Sequence, residues 1–186
     1  DKLAATVLLK GLTAEMLVCQ VYRIELGNLV LVHAAAGGVG RLLCQWASHL
    51  GATVIGTVGS TEKAEIARAA GCKHVVLYRE ENFVERVREI TDGRGVDIVY
   101  DSVGRDTFEG SLDSLAAFGH LANFGQSSGS VAPFEVARLT KGSNALSRPV
   151  VFHYVADRAK LESMSAALFD ALSRGVLTAE SGKSFP

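Results

Sequence analysis

The stretch Leu29-Val30-Leu31-Val32-His33-Ala34-Ala35-Ala36-Gly37-Gly38-Val39-Gly40 constrains the fold more than any other part of the chain. Four adjacent apolar residues suit a strand buried on both faces, the condition of a parallel sheet covered by helices. Beyond the small residues, Val39, Leu42, Leu43, Trp46, Ala47 and Leu50 recur at helical spacing, so one face of a following helix can pack back on that strand. Between the two, the spacing Ala34-x-x-Gly37-x-x-Gly40 is a variant of the dinucleotide fingerprint, with alanine at the first glycine position. Small residues there, Gly37, Gly38 and Gly40 above all, let a diphosphate approach the N–H groups of the helix N-terminus, where the helix dipole favours negative charge. The pattern alone also suits a turn that merely packs a helix tightly on a strand. What selects the nucleotide reading is that strand-like and helix-like stretches go on alternating.

That alternation is regular. Residues 53–58, 74–78, 96–100 and 120–124 are β-rich runs, and residues 145–147 make a short sixth strand. Gly59-Ser60-Thr61 opens a helix through Ala70, with Ser60 or Thr61 as N-cap and Gly71 placed as C-cap. Phe83, Val84, Val87 and Ile90 mark the next helix, closed by Asp92-Gly93-Arg94-Gly95; Phe108, Leu112, Leu115 and Ala116 line another, turned by Gly119. Residues 2–22 are helix-like, with Gly11 marking a break or kink, and residues 134–139 form a short helix. Asp157 caps a long helix with Leu161, Met164, Leu168 and Leu172 on one face, ended by Gly175. Parallel neighbours joined by right-handed crossovers then give an α/β fold, a doubly wound parallel sheet in the order 3-2-1-4-5-6, as one domain over residues 1–186. In such a sheet the ligand lies outside the carboxyl ends of the strands: here residues 33–40, 56–60, Tyr78, 101–104 and 124–127.

At 186 residues, 48% hydrophobic and with a net charge of −1, the chain can bury one sizeable core. Its interspersed charges form no basic stripe, so nucleic acid is not an expected partner, and no uninterrupted apolar run has the length of a membrane span. Cys19, Cys44 and Cys72 are odd in number and widely separated, which suggests neither a metal site nor a disulfide framework; a reducing, cytoplasmic setting fits best. The chain lacks an initiator Met and stops at Ser184-Phe185-Pro186 without a closing element, so a piece of a longer protein is expected.

The second strand end indicates which nucleotide. An NAD site carries an acidic residue about 20 positions after the glycines, to bond the ribose hydroxyls. Here Gly59 stands at that place, followed by Ser60 and, one helical turn on, Lys63. A helix N-terminus, a hydroxyl and an ammonium favour an extra 2′-phosphate, so NADPH is expected over NADH. Lys63 would also suit a solvated helix face, and Tyr78, placed to flank the adenosine, would suit a plain strand edge.

Several longer stretches carry a resemblance: Lys10-Gly11-Leu12-Thr13, residues 33–40, Cys44-Gln45-Trp46-Ala47, Gly56-Thr57-Val58-Gly59, Tyr78-Arg79-Glu80-Glu81, residues 99–106, Phe124-Gly125 with Ser127-Ser128-Gly129, and Arg148-Pro149. Together they resemble the NADPH:quinone oxidoreductases, the zeta-crystallin-like, zinc-free branch of the medium-chain dehydrogenases, over essentially the whole chain. The resemblance implies diphosphate contacts from Gly38 and Val39, contacts at the 2′-phosphate end from Gly59, Lys63 and Tyr78, and contacts toward the nicotinamide from Thr13, Phe124, Gly125 and Ser127. Ser102, at the fourth strand end, joins this set, and Arg148 would lie near the cofactor, after a loop that departs from the family in length. It also implies a quinone or similar electrophilic acceptor, a homodimer, and a cleft shared with a GroES-like catalytic domain that this chain does not include.

No residue stands out as acid or base, and none as a metal ligand. Asp101, before Ser102 and Gly104, has the pattern of a turn-former bonded to backbone, and His33, among apolar and small residues, that of a satisfied core histidine. Three functions stay open: quinone reduction with NADPH; an enoyl reductase or alcohol dehydrogenase on the same coenzyme domain; and a non-catalytic, crystallin-like nucleotide-binding module.

Overall fold

The computed structural model describes residues 2–179, and their side chains from residue 4; the end at Ser184-Phe185-Pro186 lies outside the described residues. Six parallel strands form one sheet: β1 (Leu29–Val32), β2 (Thr53–Val58), β3 (His74–Leu77), β4 (Val96–Asp101), β5 (Leu115–Asn123) and β6 (Ala145–Ser147). Their order is β3-β2-β1-β4-β5-β6, as the sequence predicts. The helices are α1 (Lys2–Glu15), α2 (Gly38–His49), α3 (Thr61–Ala69), α4 (Phe83–Ile90), α5 (Phe108–Asp113), α6 (Val151–Tyr154) and α7 (Arg158–Ser173).

Side-chain alternation along the strands divides the core in two. Val30 and Val32 of β1 point to a layer built by Leu12 of α1, Leu43 of α2, Ala67 of α3 and Leu168 of α7; Leu31 points to the opposite layer, with Val87 of α4 and Phe108 of α5. Both faces are covered, which is why β1 carries no polar alternation. The strand direction places every carboxyl end at one edge, and β1, whose neighbours β2 and β4 lead in opposite directions, is the switch point.

Three local expectations are corrected. Gly11 does not break the first helix: α1 runs through it, and a Cβ there would stand 2.5 Å from Leu168 Cδ1, so the glycine serves the crossing with α7. The helix instead widens later, into a π-helical turn at Met16–Val21. Leu115 and Ala116 are not helical: α5 stops at Asp113, the Ser114 carbonyl accepts from Val96 N–H at 2.9 Å, and β5 starts there with a bulge whose Phe118 takes φ +64°. The short helix near residue 134 is a 3₁₀ segment at Val136–Lys141. Residues Ala4–Val21, which include Lys10 and Glu15 and so are no uninterrupted apolar run, form a helix of 18 residues with mean hydropathy 1.4, long and apolar enough to cross a membrane by length and composition. Val7, Leu12, Ala14, Met16, Leu17 and Val18 of that stretch lie in the core, so its apolar character is already used in packing.

Candidate functional site

The turn after β1 is held by its own backbone. Ala34, at the first position of the fingerprint, takes φ +51°, a left-handed conformation that costs an L-residue about 1–2 kcal/mol, and its carbonyl accepts from Gly37 N–H at 2.8 Å. Ala35 N–H donates to Thr57 O at 3.1 Å and His33 N–H to Tyr100 O at 3.1 Å, so the turn is stitched to both neighbouring strands. Gly37 is the N-cap of α2 and no side chain caps that end, which leaves its first N–H groups directed outward beside the exposed Gly37 and Gly38.

The three glycines, alike in the sequence, differ in the structure. A Cβ on Gly40 would overlap the carbonyl oxygen of Ala34 and stand 3.0 Å from Ala34 C and Ala35 Cα. Gly40 is therefore needed for the turn itself. The nearest atoms to a Cβ on Gly38 would be those at the end of the Lys10 side chain, Cδ at 2.9 Å and Nζ at 3.4 Å. Lys10 was absent from the residues expected at this site. Its ammonium lies over the N-terminus of α2, brought there by the crossing of α1, and nothing in its local sequence signals that.

Beside the turn, a cleft of about 470 Å³ opens between the carboxyl ends of β2 and β4. Gly37, Gly59, Lys63, Tyr78 and Ser127, all expected at a site, lie on its walls. Ser60 stands next to them as N-cap of α3, accepting from Lys63 N–H at 3.4 Å, which leaves its hydroxyl hydrogen to donate. Half-exposed Tyr78 closes the corner, its hydroxyl 2.7 Å from where a Cβ on Gly59 would be. Glu62, in the first turn of α3, is not among the wall residues.

The remaining expected residues lie elsewhere. Ser102, Phe124 and Gly125 form one surface with the wall residue Ser127, because the loop after β5 continues to bond the loop after β4: Phe124 and Gly125 N–H donate to Asp101 O at 2.9 and 3.2 Å, and Ser127 N–H to Ser102 O at 3.2 Å. A Cβ on Gly125 would overlap the Ser102 carbonyl, so that glycine is required by the two loops' approach. Thr13 sits in α1 with its hydroxyl donated to Leu9 O at 2.8 Å, and Val39 is half-buried on α2. Arg148 lines a separate hollow at the end of β6 and donates to Asn123 O at 2.8 Å.

A buried polar chain supports the cleft from below. Asp101 accepts from Val103 and Gly104 N–H at 2.8 and 3.0 Å, from the Thr107 hydroxyl at 2.8 Å, and from Ser111 Oγ at 3.2 Å. Since the Ser111 hydrogen goes to Asp101, Ser111 must accept from His33 Nε2–H at 3.0 Å. His33 Nδ1 is then the acceptor for the Thr57 hydroxyl at 2.9 Å. Burial drives the His33 pKa down to about 4, against the upward pull of Asp101. Asp101 is the turn-former and His33 the satisfied core histidine that their sequence contexts suggest. Among the described residues, no group of three or more His, Cys, Asp or Glu is placed to hold a metal ion.

Residues 38–167 match the family model for zinc-binding dehydrogenases. The chain belongs to that family. Within it, the chain is 47% identical over 184 residues to the 2-haloacrylate reductase of a Burkholderia species, covering 98% of this chain and 55% of that protein. It is 48% identical over 175 residues to quinone oxidoreductase 1 of Escherichia coli strain K12, covering 94% of this chain and 54% of that protein. The crystal structure of the Escherichia coli quinone oxidoreductase complexed with NADPH superposes with a TM-score of 0.92 at 46% identity, over 96% of this chain and 55% of that one. The resemblance to quinone oxidoreductases thus stands, and the chain spans about half the length of these relatives.

Proposed function

We propose that this zinc-binding dehydrogenase family chain is the NADPH-binding domain of an oxidoreductase that reduces quinones. The observation that carries the reading is the corner where Gly59, Ser60, Lys63 and Tyr78 meet at the cleft. It offers an ammonium, a hydroxyl and helix N–H groups, with no acidic side chain on the end of β2, which is the donor set for a ribose 2′-phosphate. The uncapped end of α2, with Gly38 and Val39, cradles the diphosphate; the nearest neighbour of the space above Gly38 is the flexible end of Lys10, which adds a second cation. Ser102, Phe124, Gly125 and Ser127 continue toward the nicotinamide end, whereas Thr13 lies on α1 and Arg148 in a separate hollow at the end of β6. When bound, NADPH supplies a hydride to an acceptor. The chain's part is to bind, orient and shield it, and the acceptor's other wall belongs to a second, GroES-like domain.

The fuller form of this reading is a zinc-free, cytoplasmic, homodimeric enzyme acting on a quinone or other small electrophile, without nucleic-acid or membrane partners. A second reading, an enoyl reductase, is favoured by the 47% identity to a 2-haloacrylate reductase. An acrylate offers an activated carbon–carbon double bond as the hydride acceptor. The two are separated by assaying the full-length protein with a quinone and with a 2-haloacrylate; the alcohol dehydrogenase and crystallin-like alternatives predict turnover of neither.

Titration calorimetry of NADPH and NADH against the wild type and Lys63→Ala tests the coenzyme assignment. A charge-assisted contact to the 2′-phosphate contributes about 1.5–3 kcal/mol, or roughly ten- to a hundredfold in affinity. Wild type should prefer NADPH by that factor; Lys63→Ala should lose most of the preference and keep its NADH affinity. Equal affinity of wild type for the two nucleotides overturns the assignment. The 186-residue chain itself should oxidise NADPH with quinone slowly or not at all, because no second wall holds an acceptor within hydride reach.

A further inference from the structure

We propose that Cys44 and Cys72 form a reversible dithiol–disulfide couple, a covalent modification site in the core behind the glycine turn. The sequence separates the two, and the fold brings them together: Cys44 lies in the middle of α2, and Cys72 follows Gly71 at the entry to β3. Their sulfurs face each other at 3.3 Å, with Cys72 Sγ–H donating to Cys44 Sγ, and both residues are buried, 0% and 6% exposed. A disulfide needs about 2.05 Å between sulfurs, so closure asks for an approach of only about 1.2 Å.

The surroundings are shaped for this contact. Gly71 takes φ +96°, a backbone conformation that turns the chain so that Cys72 comes back beneath α2. A Cβ on Gly71 would stand 2.8 Å from Ser48 Cβ, so α2 lies directly against this corner. On the other side, a Cβ on Gly56 would stand 2.7 Å from both Cys72 Sγ and Ala35 Cβ; the missing side chain of β2 is what admits the sulfur, one layer behind Ala35 of the turn. Closing the bond would join α2 to the start of β3 across everything between them, β2 and α3 included. Cys19, the third thiol, is exposed and provides an internal contrast.

Hydrogen peroxide is the oxidant. One sulfur attacks the O–O bond, forming S–O and releasing water, to give a sulfenic acid; the second sulfur then attacks that sulfur, forming S–S and expelling the oxygen as a second water. Two electrons pass from the two sulfurs to the peroxide, and both thiol protons end in water. The mutual contact and burial hold the Cys44 thiol well above its ordinary pKa, so oxidation awaits local opening around Gly71 and is slow. The same burial then shields the bond.

The test uses the 186-residue chain carrying Cys19→Ser, incubated with hydrogen peroxide under conditions where circular dichroism shows the native fold. Free thiols are blocked, the protein is unfolded and blocked again, and the digested peptides are weighed. The expected result is a species joining the Cys44 and Cys72 peptides, lighter than their sum by two hydrogens. Alkylation of both cysteines should fall at least about tenfold and be restored by dithiothreitol. Full alkylation of both after unfolding, separate oxidation to sulfinic acids, or a link that forms only in urea would each overturn the proposal.

Discussion

Gly40→Val is expected to lose about 3 kcal/mol or more of folding stability, while Gly38→Val folds normally and loses nucleotide affinity. The difference lies in what each new Cβ meets. At Gly40 it is the backbone of Ala34 and Ala35, which is pinned to β2 and β4 and cannot move without breaking those bonds. At Gly38 it is the end of one lysine side chain, which can swing aside, but the space filled is where the diphosphate would lie. Urea denaturation of both variants and NADPH titration of Gly38→Val measure the contrast. A wild-type midpoint for Gly40→Val would contradict the turn geometry, and an unchanged dissociation constant for Gly38→Val would place the diphosphate elsewhere.

His33 should make the chain lose on the order of 3 kcal/mol of stability as pH falls from about 6.5 to about 4. In the unfolded chain the imidazole takes up its proton near its ordinary pKa of 6.5; in the folded protein it stays neutral until about 4. Over that interval the unfolded state binds the extra proton, so stability is intact above 6.5 and declines as pH drops, levelling once the folded imidazole is protonated too. The charge facing the ring is Asp101, which favours the imidazolium; Thr57, Ser111 and Phe83 are its neutral neighbours, and burial outweighs the one favourable charge. His33→Gln cannot take the proton. Denaturation from pH 7 to 4 should therefore show a steeper loss for wild type than for His33→Gln, although His74 and His120, whose pKa values burial also lowers, titrate in both. Parallel curves would mean that the His33 ring is not buried in the folded state.

The strand–turn–helix unit and the sheet order were legible because each rests on local periodicity: the apolar run at β1, the caps at Ser60 and Asp157, and glycines such as Gly71 and Gly175 beyond helix ends. What escaped was set by distant partners. The periodic apolar residues after Phe108 continue past Asp113, yet the Ser114 carbonyl is claimed by Val96 and the helix ends there. Gly11 reads as a helix breaker and is in fact a packing residue, because the side chain it accommodates is that of Leu168, on α7. At the site, the chemistry of Lys63 and Ser60 is readable from their place after β2, whereas Lys10 and the thiol pair need the helix crossings. Among the expected contacts, Gly40 and Gly125 prove to face backbone, and only coordinates distinguish a glycine that clears a ligand from one that clears its own chain.

The π-helical turn gives α1 a mechanical character. Leu17 O accepts both Tyr22 N–H at 3.2 Å, within the wide turn, and the buried Tyr100 hydroxyl at 3.1 Å, so the carboxyl end of the helix is riveted to the middle of the sheet. Lys10 lies seven residues toward the amino end, about 10 Å away at 1.5 Å per residue, on a segment whose Val7, Gly11 and Leu12 are packed in the core. A shift of about 1 Å in the Lys10 backbone is roughly the difference between a direct and a lost contact with a phosphate oxygen, so the packing of α1 on α2 and α7 sets the reach of that charge. Tyr100→Phe would remove one of the two bonds to the Leu17 carbonyl without touching the cleft, and so separates the anchoring of this helix from the chemistry of the site.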